Sequence, residues 1–313
     1  MNQHAHPDAA TTKPAAAPAG TEIRFEASDG FPIAGTLFTG DGSGPLLLIS
    51  SATAVPRGLY AGFAAACVGA GARAALVYDY RGTGGSIRPK TWRGRIGMKD
   101  WAVRDMPAAA AALDAVAPGH EMVGLGQSFG GQALGLSGIS GRFARYAMVA
   151  SMSGHFGGLD DDKAKLRMLG IGVPISLVHR QMPRWLGLGE PIPATVFRDW
   201  AGWCRRPDYF FGDPAVPETA RFSDVRLPIL AIGMTDDPWG TRRAVAALMK
   251  HYVHAAIEVR WVSPADAGGE SIGHLGFFRS RFARTLWPET RPDPSPLFQG
   301  WVTGAAAEPA PGT

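Results

Sequence analysis

Ser128 lies in Gly126-Gln127-Ser128-Phe129-Gly130, with a glycine two residues to either side. That spacing strips Cβ atoms from a tight strand-to-helix turn, which would present the hydroxyl at the N-terminus of the following helix. A serine so placed is a candidate nucleophile. It needs a base to take its proton and a carboxylate to fix the tautomer of that base. Two further stretches carry the right residue types: Thr235-Asp236-Asp237-Pro238-Trp239 and Ser271-Ile272-Gly273-His274. With 41 glycines among 313 residues the serine pattern arises easily by chance, so the surrounding elements must carry the assignment.

Those elements follow from the periodicity. Glu22 to Ala27 and Pro32 to Phe38 alternate polar and apolar residues around an Asp29-Gly30 turn, which predicts a β-hairpin at a sheet edge. From there the apolar runs become continuous at Pro45 to Ser51 and Ala72 to Tyr80, as in parallel strands buried on both faces, and further strands are expected at Glu121 to Leu125, Tyr146 to Ser151, Leu227 to Gly233 and Ala256 to Val262. Segments of helical spacing separate them: Tyr60 to Val68, Lys99 to Val116, the stretch from Phe129, and Arg242 to Tyr252. The alternation predicts an α/β fold with a doubly wound, mostly parallel sheet. It breaks after Ser153 for about seventy residues rich in Pro and aromatics, Trp185, Phe197, Trp200, Trp203 and Tyr209 among them. Short helices packed by aromatics are expected there, forming a cap. The organisation is then a core over 21–154 and 223–302, a helical cap inserted over 155–222, and disordered Ala-Pro-rich tails over 1–20 and 303–313.

In a doubly wound sheet the chemistry gathers on loops at the C-terminal ends of the strands. Asp236 and Asp237 follow one strand and His274 follows the last, with an apolar, helix-like stretch directly behind it. Asp236, three residues after Gly233, is the expected acid, whereas Asp237 beside Pro238 suits a turn former or a helix cap. His274 is the expected base. His4 and His6 lie in the tail, His120 precedes a strand, His155 and His179 belong to the insertion, and His251 and His254 sit at a helix end. An oxyanion requires backbone donors, expected from Phe129 and from the loop Ser51 to Pro56, where Thr53 is placed best and Ala54 one residue away is the alternative.

Composition narrows the partners. A net charge of +4 with scattered Lys and Arg argues against nucleic acid, and no apolar run reaches the ~20 residues that span a bilayer. No signal-peptide pattern stands at the N-terminus, so a cytoplasmic location is expected. Cys67 and Cys204 are two isolated thiols, expected to be buried. Gly124-x-Gly126 places Phe129 where a dinucleotide site needs a third small residue. Gly82 to Gly85 lacks the Gly-Lys-Ser/Thr end of a phosphate loop, and the adjacent acids Asp160, Asp161 and Asp162 do not share a face for a metal. No cofactor or metal is called for. The oligomeric state is open.

Asp79-Tyr80-Arg81-Gly82-Thr83-Gly84-Gly85-Ser86 is similar to the D-x-R-G-x-G-x-S loop of α/β-hydrolases near the serine aminopeptidase and monoglyceride lipase branch. The order Ser128, Asp236, His274 is the nucleophile-acid-base order of that superfamily. More narrowly, Ala52-Thr53-x-Val55-Pro56, Trp200-x-x-Trp203-Cys204, Asp236-Asp237-x-Trp239 and Gly273-His274-x-Gly276-Phe277-Phe278-Arg279 resemble a group of bacterial α/β-hydrolases of unassigned substrate. The resemblance covers nearly the whole folded region and implies the α/β-hydrolase fold and ester or amide hydrolysis. Two positions depart from it: Gln127 stands where His often precedes the serine, and Ser51-Ala52 replaces the usual His-Gly of the oxyanion loop. The expected function is a serine hydrolase cleaving a carboxylic ester, or a related acyl bond, of a small to medium apolar substrate through an acyl-enzyme. An acyltransferase using the same three residues, or a non-catalytic ligand-binding protein of this fold, are the alternatives.

Overall fold

The computed structural model describes residues 19–287 and 302–303; the tails expected over 1–20 and 303–313 lie, but for their innermost residues, outside that range. Eight strands form one sheet in the order β1-β2-β4-β3-β5-β6-β7-β8. The antiparallel hairpin of β1 (Thr21–Glu26) and β2 (Pro32–Thr39) lies at one edge, with β2 also antiparallel to β4. The strands β3 (Leu46–Ser50), β4 (Ala74–Tyr78), β5 (Met122–Gln127), β6 (Arg145–Val149), β7 (Ile229–Met234) and β8 (Ile257–Val262) run parallel. Every residue of β3, β4, β5 and β7 is buried, which is why their sequences read as unbroken apolar runs.

Successive residues of each strand feed opposite faces. Leu46 and Leu48 pack with Met106, Leu113 and Leu134 on one side, under helices over 98–114 and at Phe129–Ser137. Leu47 and Ile49 pack with Phe63, Val68 and Phe278 on the other, where the helix Ala61–Gly69 lies. Between β3 and β5 the winding of the sheet reverses, because β3 is followed by a strand on one side of it and β5 by a strand on the other. Loops leaving two such strands part from each other and open a crevice at their carboxyl ends. Ser51 to Pro56 leaves β3 there, and Ser128 leaves β5.

Between β6 and β7 the chain forms short 3₁₀ turns, a continuous helical segment over 164–178 that is π-helical at Leu166–Gly172 and α-helical at Val173–Val178, the helix Ala194–Cys204, and one isolated bridge from Gln181 to Pro193. Trp203, Tyr209, Phe210, Phe211 and Phe222 pack on one another with ring centroids 4.7–5.9 Å apart. Two elements differ from expectation. The helix over 98–114 widens into a π-helical stretch at Trp101–Asp105, and the apolar residues behind His274 form turns and a short 3₁₀ segment at Ser280–Phe282 instead of a helix. In the second case a Cβ on Gly276 would stand 2.0 Å from the Ile272 carbonyl, so the chain doubles back tightly. Consecutive Phe277 and Phe278 both enter the core.

The Asp79 to Ser86 loop is a structural brace. Arg81, 1% exposed, donates through its backbone N–H (2.9 Å) and Nε (2.6 Å) to Asp105, and its Nη1 reaches Asp29 at 2.7 Å. Burial pushes the Asp105 carboxyl up and Arg81 works against it, so the ionised pair depends on both members. Removing one partner of such a pair strands the other charge, at a cost of roughly 3–5 kcal/mol. Arg81→Met is therefore expected to lower unfolding free energy by about that amount in urea titration. Arg81→Met with Asp105→Leu should regain most of it; a double variant no better than the single one would show that the charge pairing is not the cause.

Candidate active site

Ser128 has φ 51° and ψ −112°, a left-handed backbone that costs a non-glycine residue roughly 1–3 kcal/mol and persists only where its surroundings enforce it. The enforcement is steric. A Cβ on Gly126 would lie 2.2 Å from the Gly130 carbonyl carbon, and one on Gly130 would lie 2.1 Å from the Ser50 carbonyl oxygen. The Ser128 N–H also donates to Val149 at 2.9 Å, fastening the turn to β6. The hydroxyl is thereby held above the crevice, at the start of the helix Phe129–Ser137.

His274 Nε2 lies 3.1 Å from Ser128 Oγ, and His274 Nδ1 lies 2.7 Å from Asp237 Oδ2. The carboxylate facing the imidazole is thus Asp237, not Asp236. The reason is register: β7 runs to Met234, one residue beyond the expected Gly233, and Thr235 N–H still bonds Val262 in the ladder at 2.8 Å. Three residues past the strand is therefore Asp237. Its side chain is fully buried, its Oδ1 accepts from Trp239 N–H at 2.8 Å, and a Cβ on Gly240 would come 2.3 Å from Oδ2. Pro238 and Gly240 shape a turn around this carboxylate, the one signal in the sequence that marked it.

Asp236 instead organises the loop that carries the histidine. It accepts from Ser271 Oγ (2.8 Å), Ile272 N–H (2.8 Å) and Gly273 N–H (3.1 Å). Burial acts to raise its pKa, but the Ser271 hydroxyl and the two backbone donors outweigh it and hold the carboxyl below its ordinary value of 3.8.

Gln127 is a residue whose part sequence reasoning missed. Fully buried beside the serine, its Nε2 donates to the His274 carbonyl at 3.0 Å and its Oε1 accepts from Tyr60 Oη at 2.6 Å. The same Tyr60 oxygen accepts the Ala52 N–H at 2.9 Å. One amide therefore joins the histidine loop to the loop after β3. A buried amide inside an apolar strand must find partners, and that requirement was the available signal.

The Ala52 N–H being taken, and Val55 N–H bonding the Ala52 carbonyl, the N–H groups of Thr53 and Ala54 are the ones this loop can offer a ligand. Thr53 borders the same cavity as Ser128 and Phe129. Phe129 is the first residue of its helix, where backbone N–H groups lack helical acceptors. Ala54 has φ 60°, and its carbonyl accepts the Glu190 N–H at 2.7 Å. A Cβ on Gly189, itself at φ +107°, would stand 2.4 Å from that carbonyl. The insertion thus clamps the loop after β3.

The cavity measures about 220 Å³ and is bordered on the insertion side by Arg167, Leu186, Leu188, Trp200 and Tyr209. Asp161 holds Arg167 and accepts from Trp239 Nε1 at 3.1 Å, while Asp160 pairs with Arg243, so these acids are committed to cations and to the indole. Cys67 and Cys204 are buried.

A carboxyl whose native pKa lies below its unfolded value adds stability above the unfolded pKa and loses it as pH falls through the native one. Asp236→Asn is expected to flatten the fall in Tm below about pH 4 relative to the unmodified chain. An unchanged acid limb in thermal scans would contradict the loop-anchoring role.

No family sequence model and no curated relative matches the chain. Solved structures do. DcsB in complex with its substrate analogue aligns over 82% of this chain and 92% of its own at TM-score 0.56 and 15% identity. The α/β-hydrolase GrgF of Penicillium sp. sh18 covers 83% and 92% at 0.54 and 16% identity. The Pyrococcus furiosus esterase Pf2001 covers 88% and 90% at 0.54 and 13% identity. Sheet order, hairpin and neighbours agree: the chain has the α/β-hydrolase fold.

Proposed function

We propose that the chain is a serine hydrolase that cleaves a carboxylic ester, or a related acyl bond, of a small to medium apolar substrate. The observation that carries this reading is the relay from Ser128 Oγ to His274 (3.1 Å) and on to buried Asp237 (2.7 Å). A non-catalytic binding protein has no need of all three groups in hydrogen-bonding sequence. One of the structural neighbours is itself an esterase.

His274 Nε2 takes the Ser128 proton as the oxygen attacks the acyl carbon. The N–H groups of Phe129 and Thr53 receive the oxyanion, and His274 returns the proton to the leaving alcohol. Water, deprotonated by the same imidazole, then releases the acid and frees the serine. Asp237 holds the proton on Nδ1 and stabilises the imidazolium; Asp236 acts through the loop. The insertion serves as a cap. Leu186, Leu188, Trp200 and Trp239 make an apolar wall that excludes water and favours an apolar acyl or alkyl chain.

Hydrolysis of a p-nitrophenyl ester series tests the roles. Ser128→Ala and His274→Ala are expected to abolish turnover above background, and Asp237→Asn to lower kcat by roughly 10⁴-fold. Asp236→Asn should lose less than about tenfold; the reverse ranking of the two asparagine variants would return the acid to Asp236. Gly189→Ala, which would push on the Ala54 carbonyl, is expected to lower kcat by roughly tenfold or more with little change in KM, since an oxyanion donor acts in the transition state. A rise in KM at constant kcat would count against that assignment.

A further inference from the structure

Along the first part of the insertion, Ala164, Met168, Gly172 and Ser176 are buried, one every four residues. The face opposite is exposed, and between 166 and 178 it consists of Leu166, Arg167, Gly170, Ile171, Pro174, Leu177 and Val178. Leu177 is 71% and Val178 80% exposed, and Trp185, further along the insertion, is 71% exposed. Five of the eight large apolar residues that stand exposed among the described residues belong to this one segment, Leu166 and Ile171 included. Such clustering is a mark of an interaction surface, whereas single exposed apolar residues are ordinary.

The flanks of the face are basic. Lys163 and Lys165 precede it, His179 and Arg180 follow it, and among the described residues none of the four has an acidic partner. Of the nearby acids, Asp160 pairs with Arg243, Asp161 with Arg167 and Glu190 with Arg184, which leaves Asp162, exposed beside Lys163, as the one nearby acid without an ion-pair partner among the described residues. A second copy of the chain laid on the same face would bring Lys163, Lys165 and Arg180 of one copy close to cations of the same set on the other. An anionic lipid surface satisfies both features, because an amphipathic helix lies in the interface with its apolar side down, basic residues at the headgroups and tryptophan at the boundary.

We propose that this face of the insertion docks the protein onto anionic lipid surfaces. The helix lies in the interface plane; among the described residues no helix is long and apolar enough to cross a membrane. Arg167 and Leu186 to Leu188 join the face to the rim of the Ser128 cavity, so docking sets the mouth of the cavity against the lipid. The binding requires no catalysis.

Co-sedimentation with vesicles of phosphatidylcholine mixed with phosphatidylglycerol, and of phosphatidylcholine alone, tests it with the full chain. The unmodified protein is expected to pellet with the anionic vesicles, less so at high salt, and Ser128→Ala should pellet equally, which separates docking from hydrolysis. Leu177→Asp with Val178→Asp should weaken binding by roughly tenfold or more, and Lys163→Glu with Lys165→Glu should remove the preference for anionic lipid. Val253→Asp, at an exposed apolar residue elsewhere, should bind unchanged, with circular dichroism reporting the fold of each variant. Absence of pelleting with anionic vesicles at low salt, or full binding by the Leu177/Val178 variant, would overturn the proposal. So would a dimer in sedimentation velocity that this variant abolishes, since the face would then belong to a second copy.

Discussion

The left-handed backbone at Ser128 is the constraint on which the site depends. A residue at φ 51° is held there by a strand end and a helix start that meet too closely for any side chain at 126 or 130. The cost of that conformation, roughly 1–3 kcal/mol, is offset by the packing of β5 and of the helix behind it, whose nine residues are all buried. Strain and burial together fix one hydroxyl at the crevice where the sheet reverses its winding. A serine on a relaxed loop would sample many positions, and its distance to any base would be correspondingly loose.

Around that point the molecule ties separate loops by single polar groups. Gln127 joins the histidine loop to Tyr60 and through it to the loop after β3; Asp236 collects three donors of the histidine loop; Glu190 and Gly189 fasten the loop after β3 to the insertion. In the proposed reaction these contacts hold the base and the oxyanion donors at fixed places, so that little reorganisation accompanies charge development. The departures from the resembling family acquire a physical meaning here. Gln127 faces the two loops it connects and not the cavity, and Ala52 spends its N–H on Tyr60, which leaves the next residues of the loop to face a ligand.

Much of this could be read from residue order. Strands buried on both faces leave unbroken apolar runs, so β3 to β7 were legible to within a few residues, and the alternation of Glu22 to Phe38 marked the edge hairpin. The serine turn and His274 were legible because glycine and loop position restrict them. Legibility failed where a single residue of register decides the outcome. β7 continues to Met234, which moves the partner of the imidazole from Asp236 to Asp237. It failed again where periodicity pointed to a helix but packing overruled it, behind His274, where Gly276 folds the chain back and both Phe277 and Phe278 turn inward. Gln127 was visible as an oddity, while its partners at Tyr60 and His274 lie 67 and 147 residues away in the chain.

The central claim is that Ser128 is a nucleophile activated by His274 and Asp237. Intact-protein mass spectrometry after exposure to a fluorophosphonate, followed by peptide mapping, tests it without a known substrate. One adduct per chain is expected, on the peptide holding Ser128, formed in Asp236→Asn within about tenfold of the unmodified rate and far more slowly in Asp237→Asn. A folded protein that takes up no adduct, or takes it up at another residue, would contradict it.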